Sequence, residues 1–438
     1  MRVYSRFNCI VTGCERQRVE WHGHLHSLVL AATTGRVQGV HASSDLAWLV
    51  AYAHVTQARM KPPAVLPAFA AVIVFLGSAC LLRAETWQVY FGTGGPGAKG
   101  IYSARFDTES GKLTAAQLAA EIGSPGFLAL HPDGDKLYAV ANFPGGPGAA
   151  GYRIGQDGSL APINTAPTGD GGGAHIAVHP SGRFLLTAQY GGGSVALFPL
   201  DAEGRLGAAK LTEHERGSGV VPRRQDAAHP HYAGFSPDKR FALVPDLGMD
   251  GIVIYRIDQE APAIERHGFA ASVPGGGPRH MRFSPDGKFI YLLNELALSV
   301  TTFAWDPTAG TARQLATTRA LSEEAKAKEA FNAAAEILVH PNGRFVYSSN
   351  RGHDTVSVYQ ANPATAALKV IQVQPVRGAF PRNINLAPGG GWLLAAGADS
   401  NTVSVHRVNP ETGELTYQTK GVINVPAPIC IVFGKRIR

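Results

Sequence analysis

One motif recurs along this chain, and a fixed recurrence limits the available folds more tightly than any local signal. Six copies are legible: HPDGDKLYAVAN from His131, HPSGRFLLTAQY from His179, SPDKRFALVPDL from Ser236, SPDGKFIYLLNE from Ser284, HPNGRFVYSSNR from His340 and APGGGWLLAAGA from Ala387. Their prolines (Pro132, Pro180, Pro237, Pro285, Pro341, Pro388) follow one another at 48, 57, 48, 56 and 47 residues. That period belongs to propeller blades rather than to leucine-rich or ankyrin repeats.

The copy at 332–373 shows what one unit folds into. An apolar run (335–339) stops at Pro341-Asn342-Gly343, where proline presets φ and glycine accepts a positive φ, and a second run (345–349) leads back. Gly352-His353-Asp354 turns the chain again, residues 355–359 alternate as a third strand, and 368–373 form an outer fourth. Four antiparallel strands repeated radially make a β-propeller whose first strands line the central channel.

Six blades of this kind would leave a bare edge, and the missing sheet lies at the termini. Residues 87–91, 100–106 and 113–122 read as second, third and fourth strands, while 425–433 supplies an inner strand entered through Pro428. The expected fold is therefore all-β, a seven-bladed β-propeller of four-stranded antiparallel blades, closed by N- and C-terminal strands sharing one blade. Only residues 321–335 (LSEEAKAKEAFNAAA) depart from strand logic, and they read as a helical insertion opened by a Ser322 cap.

Ahead of the repeats, residues 1–59 show no sustained apolar period. They are followed by Met60-Lys61, an uncharged run over 64–82 and Arg83-Ala84, which is the order of a secretory signal. The chain divides accordingly into an upstream extension (1–59), a signal peptide (60–84) with cleavage after Ala79 or Ala84, and a propeller domain (85–438). Export to the periplasm or medium follows, with no stable membrane span once the signal is removed; lipid anchoring at Cys80 and an uncleaved anchor are the alternatives. Residues 1–84 hold eight Lys/Arg against three acids, leaving 32 basic against 30 acidic side chains for the domain. The +7 formal charge is thus no sign of a nucleic-acid-binding face. Only Cys430 falls within the domain, so it has no internal disulfide and no cysteine metal site, and His22, His24 and His26 lack the acidic or cysteine partners of a ligand set.

Function must then be sought where the blades differ. Side chains six residues before each turn proline start the inner strand, and those ten after it end the second; antiparallel pairing brings both to one mouth of the channel. The first set is Gly126, Ala174, His231, Arg279, Ala335 and Arg382, the second Asn142, Tyr190, Leu247, Glu295, Arg351 and Ala398. Neighbouring positions add His229, His280, Asn294, Glu336, Asn383 and His175. Guanidinium groups gathered at one mouth repel unless a carboxylate or an anion balances them. Glu295 and Glu336 are the available internal partners, so a structural ion cluster stands as the alternative to an anion site.

HPHYAGFSPD (229–238), GPRHMRFSPDGKFIYLLNE (277–295), AAEILVHPNGRFVYSSNRGHDTVSVY (334–359) and PRNINLAPGGGWLLAAG (381–397) resemble the lactonase family of seven-bladed propellers. That family includes the propeller-type 6-phosphogluconolactonases and is similar to the fungal carboxy-cis,cis-muconate lactonising enzymes. The resemblance covers essentially all of 86–438. It implies an active site of one histidine, arginines and a glutamate at the channel mouth, here His231, Arg279, Glu295 and Arg351 with Arg382 close by. The implied activity is hydrolysis of a sugar lactone without metal or other cofactor. Glu295 or His231 would act as base, Arg279 and Arg351 as clamp for the oxyanion or a carboxylate, and Arg382, His229, His280, Glu336 and Asn383 as substrate contacts. The expected partner is a small-molecule lactone; the assembly state is open. A cycloisomerase of the muconate-lactonising type and a non-catalytic secreted binding propeller are the alternatives.

Overall fold

The computed structural model describes residues 85–437 apart from Gln259. The expectations for the extension, the signal peptide and Cys80 lie outside the described residues. Among those described, no helix is long and apolar enough to cross a membrane.

Seven antiparallel sheets follow one another along the chain. Blade 1 holds Thr86–Thr93 and Gly100–Asp107, with an outer strand broken into Lys112–Leu113 and Gln117–Glu121. Blades 2 to 7 run over 128–167, 173–213, 234–271, 278–319, 333–375 and 381–424. The C-terminal strand Pro428–Ile437 pairs with Thr86–Thr93 and gives blade 1 its inner strand, as the sequence requires.

Second and third strands are buried on both faces, for example Phe184–Gln189 and Trp392–Gly397, whereas the outer Thr311–Arg319 is mostly exposed. The reason is that each blade packs flat against its neighbours. The apolar residues form seven clusters, each shared by two adjacent blades, and the cluster of Val89, Phe106, Trp392, Leu394 and Ile431 joins blade 7 to blade 1. A ring of seven blades has seven such interfaces, so the circle is complete. Cross-blade hydrogen bonds from Tyr138 Oη to the Gly204 carbonyl (2.8 Å) and from Trp392 Nε1 to that of Thr108 (2.8 Å) fix the rotation between sheets.

The repeated turn has a physical role beyond reversal. The Nδ1 atoms of His131, His179 and His340 accept from the backbone N–H two residues on, which leaves Nε2 as donor to the turn of the next blade: Gly182 O (3.1 Å), Lys239 O (3.2 Å) and Gly390 O (3.2 Å). Where serine replaces histidine, Ser236 and Ser284 bond inside their own turn, to Asp238 and Asp286. The left-handed slot held by Gly134, Gly182, Gly287 and Gly343 is taken in blade 4 by Lys239 at φ 64°.

The insertion before blade 6 is shorter than its composition suggests. The helix spans only Glu323–Ala327, with Ser322 Oγ accepting from Ala325 N at 3.1 Å. Ala333–Val339 is strand because Ala334 and Ile337 are needed in the cluster with Tyr291 and Leu293, and packing overrides alanine's helical preference.

Candidate active site

The inner strands reach the mouth through irregular pairing. Register shifts lie between Pro278 and His280, between Ala334 and Ile337, and between Pro381 and Asn383, so Arg279, Ala335 with Glu336, and Arg382 are the bulged residues; Ala174 occupies the same place in blade 3. A bulge leaves its residue unpaired and re-aims the side chain. That is why the positions matched by register are those that face the channel.

Glu295, at the end of the second strand of blade 5, organises the charged part. Its Oε2 receives Arg279 Nε at 2.8 Å and Arg351 Nη2 at 3.0 Å, and its Oε1 receives Arg224 Nη2 at 2.7 Å. Burial alone would raise this carboxyl, but Arg351 and Arg279 outweigh it and hold Glu295 well below the usual carboxylate range. Burial and then Arg351 push Arg279 down to about 9, which leaves it charged at neutral pH. Arg279 also donates to the Ala335 carbonyl and Arg351 to that of Ala334. Of the two alternatives the sequence leaves open, Glu295 is thus the internal partner of Arg279 and Arg351, while the Arg382 side chain makes no hydrogen bond or ion pair with any described residue. Burial and Arg351 lower its guanidinium.

A cavity of about 530 Å³ opens over this group, lined by the charged and polar Arg224, His231, Glu295, Arg351, Arg382 and Tyr190 and by the small Gly172, Gly173, Ala174 and Gly191. A side pocket of about 100 Å³ continues from it between Arg279, Arg382, Phe127 and Ile429. Four guanidiniums meet one carboxylate around these spaces, a surplus of three positive charges.

His231 lines the cavity with a buried ring whose Nδ1 is sealed and unpartnered, so Nε2 is the nitrogen open to the cavity. Burial first, then Arg279 and His280, hold it well below the ordinary histidine value, and the ring is neutral. Its ring lies 5.3 Å from those of Tyr190 and His280.

The remaining predicted residues lie outside the cavity lining. Glu336 is fully buried and accepts from His280 Nδ1 (3.0 Å), Arg282 Nη2 (3.0 Å) and Asn383 Nδ2 (2.7 Å). With His175, which packs between Phe127 and Tyr232 at 4.3 Å from each, these groups form a layer beneath the arginines. His229 turns away, its Nδ1 on the Tyr190 carbonyl (2.7 Å) and its ring stacked on Tyr190. Arg224 was missed by register because it lies on the loop between blades 3 and 4, which has no repeat position; the one signal is the spacing of 57 residues between Pro180 and Pro237. Among the described residues the only grouping of metal-type side chains, His131, Asp133 and Asp135, belongs to the turn of blade 2, at the other end of the inner strand.

This fold and mouth are those of a lactonase-type propeller. The family described as Lactonase, 7-bladed beta-propeller, matches residues 88–433, and the chain belongs to it. It is similar to the 6-phosphogluconolactonase of Bacillus subtilis, 32% identical over 77% of this chain and 95% of that protein. The 6-phosphogluconolactonase of Formosa agariphila is 34% identical over 66% of this chain and 82% of its own length. The solved structure of a Pseudomonas aeruginosa periplasmic gluconolactonase superposes with a TM-score of 0.74 at 29% identity, over 80% of this chain and 99% of that one.

Proposed function

We propose that the protein hydrolyses a sugar lactone of the gluconolactone kind, with His231 as general base. The observation that carries this reading is the neutral, cavity-facing His231 beside an uncompensated cluster of arginines. Water attacks the ring carbonyl while His231 takes its proton; the carbonyl oxygen becomes anionic against the guanidiniums of Arg351 and Arg382. The ring C–O bond then breaks, the leaving oxygen recovers the proton from His231, and an open hydroxy acid departs. Glu295, whose oxygens already receive three guanidiniums, orients them and is displaced from the role of base. Arg224 is an additional substrate contact. Arg279, on the side pocket, and the His280–Glu336–Asn383 layer support the cluster, and His229 fixes Tyr190.

The charge surplus favours a lactone that carries its own anionic group, such as the phosphorylated form. The signal-like stretch at 60–84 favours export and an unphosphorylated lactone, as the name of the Pseudomonas aeruginosa neighbour suggests for that protein. A pH-stat assay with 6-phosphogluconolactone, gluconolactone and muconolactone, each with and without chelator, tests the reading. Acid release from a sugar lactone, insensitive to chelator, is expected; release from none would favour a binding propeller, and muconolactone turnover alone would favour the cycloisomerase. Expression from Met60 followed by N-terminal sequencing tests export, with Cys80 or Glu85 expected as the first residue.

A further inference from the structure

Asp250 lies immediately before the third strand of blade 4 (Gly251–Asp258), buried and at φ 57°. Its carboxylate is full. Oδ1 accepts from Gln225 Nε2 (2.6 Å) and Gly277 N (3.0 Å), and Oδ2 from Gly275 N (2.7 Å) and Ser218 Oγ (3.1 Å). Two of these bonds lead to the charged cluster. Gln225 adjoins Arg224 in the loop between blades 3 and 4, and is held again by the Leu247 carbonyl at 2.8 Å. Gly277 stands two residues before Arg279, and its own carbonyl accepts from Glu295 N at 2.7 Å.

Two other blades serve as an internal control. Asp354 and Asn401 occupy the same place before the third strands of blades 6 and 7, both at φ 55°. Each makes one side-chain bond to the strand entry that follows, to Phe380 N and to Ala427 N, both at 2.8 Å. Phe380, Ala427 and Gly277 all directly precede the proline that opens an inner strand. The bond to Gly277 is thus part of the repeat architecture. Those to Gln225, Ser218 and Gly275 are peculiar to blade 4, which is also where the loop bearing Arg224 enters.

We propose that Asp250 is a positioning residue for the lactone-opening site, setting Arg224, Arg279 and Glu295 in a common geometry although it lines neither the cavity nor the side pocket. This inference rests on the functional reading above. Its physical basis is that a buried carboxylate with four donors has no second arrangement of comparable energy, so the loop and the turn it joins cannot shift independently.

A double-mutant cycle tests it, with kcat/KM measured for the wild type, Arg224→Ala, Asp250→Ala and the double variant, and Asn401→Ala as control. Asp250→Ala should lower kcat/KM at least about tenfold, and Arg224→Ala should then cost markedly less than it does in the wild type. Asn401→Ala should lower the melting temperature while retaining activity per folded molecule. Losses that multiply independently, or equal activity per folded molecule in Asp250→Ala and Asn401→Ala, would overturn the proposal. Should Asp250→Ala not fold, Asp250→Asn keeps one acceptor, as Asn401 does, and enters the same cycle. If the wild type opens no lactone, the functional reading fails by itself, and hydrogen exchange then judges Asp250. The Gln225 and Glu295 amides should exchange faster in the Asp250 variant than in Asn401→Ala, and unchanged protection would refute the role.

Discussion

Across the channel mouth, blades 5 to 7 present Arg279, Glu295, Arg351 and Arg382, while blades 2 and 3 present Gly126, Gly173 and Ala174 at the matching ends of their inner strands. The scaffold beneath the two arcs is the same: paired strands, a proline turn between the first and second, an apolar cluster on each side. The contrast shows that stability is held between the blades, in the seven shared clusters, and that the mouth positions are thereby free to differ. One arc spends that freedom on charge and the other on space.

The largest expected effect belongs to His231, the single ring that joins the arcs. His231→Ala should lower kcat on the order of 10² to 10⁴, with folding retained because the ring makes no hydrogen bond to lose. Its folded-state pKa is depressed, so the neutral, proton-accepting form persists as pH falls through the ordinary histidine range near 6.5. The acid limb of the kcat/KM–pH profile should therefore lie below that pH; a limb at or above it would remove His231 as base.

Next comes Glu295→Gln. It leaves the guanidiniums of Arg224, Arg279 and Arg351 without their shared carboxylate, and the loss should be on the order of 3 kcal/mol in stability, with turnover falling as the cluster spreads. Added phosphate should restore part of the melting temperature. No response to phosphate would mean that the surplus charge is not an anion site.

The arginines should then divide. Arg382→Ala removes a group with no partner, so the melting temperature should stay level or rise while kcat/KM drops about tenfold, equal to about 1.4 kcal/mol. Arg279→Ala breaks bonds to Glu295 and to the Ala335 carbonyl and should lower both stability and activity. Equal melting temperatures for the two variants would erase the distinction between a free and a paired guanidinium.

The smallest effect tests the open arc. Gly172 has no left-handed φ, and a Cβ built there meets nothing within 4 Å, so neither backbone nor packing demands glycine. Gly172→Ala should be silent. Gly172→Leu should fold normally but raise KM several-fold by filling the cavity; an unchanged KM would show that substrate does not use this side.

Most of this geometry was legible in the sequence because a propeller repeats its strand register. Counting from each turn proline located Arg279, Glu295, Arg351 and Arg382 without any knowledge of their contacts. Counting could not separate their roles, since whether a carboxylate is a base or a counter-ion depends on who surrounds it. Glu295 meets three arginines, and Glu336 lies a layer below with Arg282, His280 and Asn383. Arg224 and Asp250 escaped for different reasons. The first stands on a loop without register, and the second sits where two other blades also carry a polar residue for an architectural task. The helix expected over 321–335 was overextended because alanine's preference was read without the blade interface that Ala334 and Ile337 must fill.

Closure by Pro428–Ile437 has a consequence for how this molecule comes into being. The inner edge of Thr86–Thr93 is made before blades 2 to 7 and its partner strand after them, so during synthesis the ring stands open at one seam until Pro428–Ile437 has emerged. An uncovered strand edge is the part of a β protein that invites pairing with strangers. Loss of Pro428–Ile437 would not trim the molecule but leave it permanently at that unfinished stage, with blade 1 exposed along its length and the cluster shared with blade 7 missing Ile431.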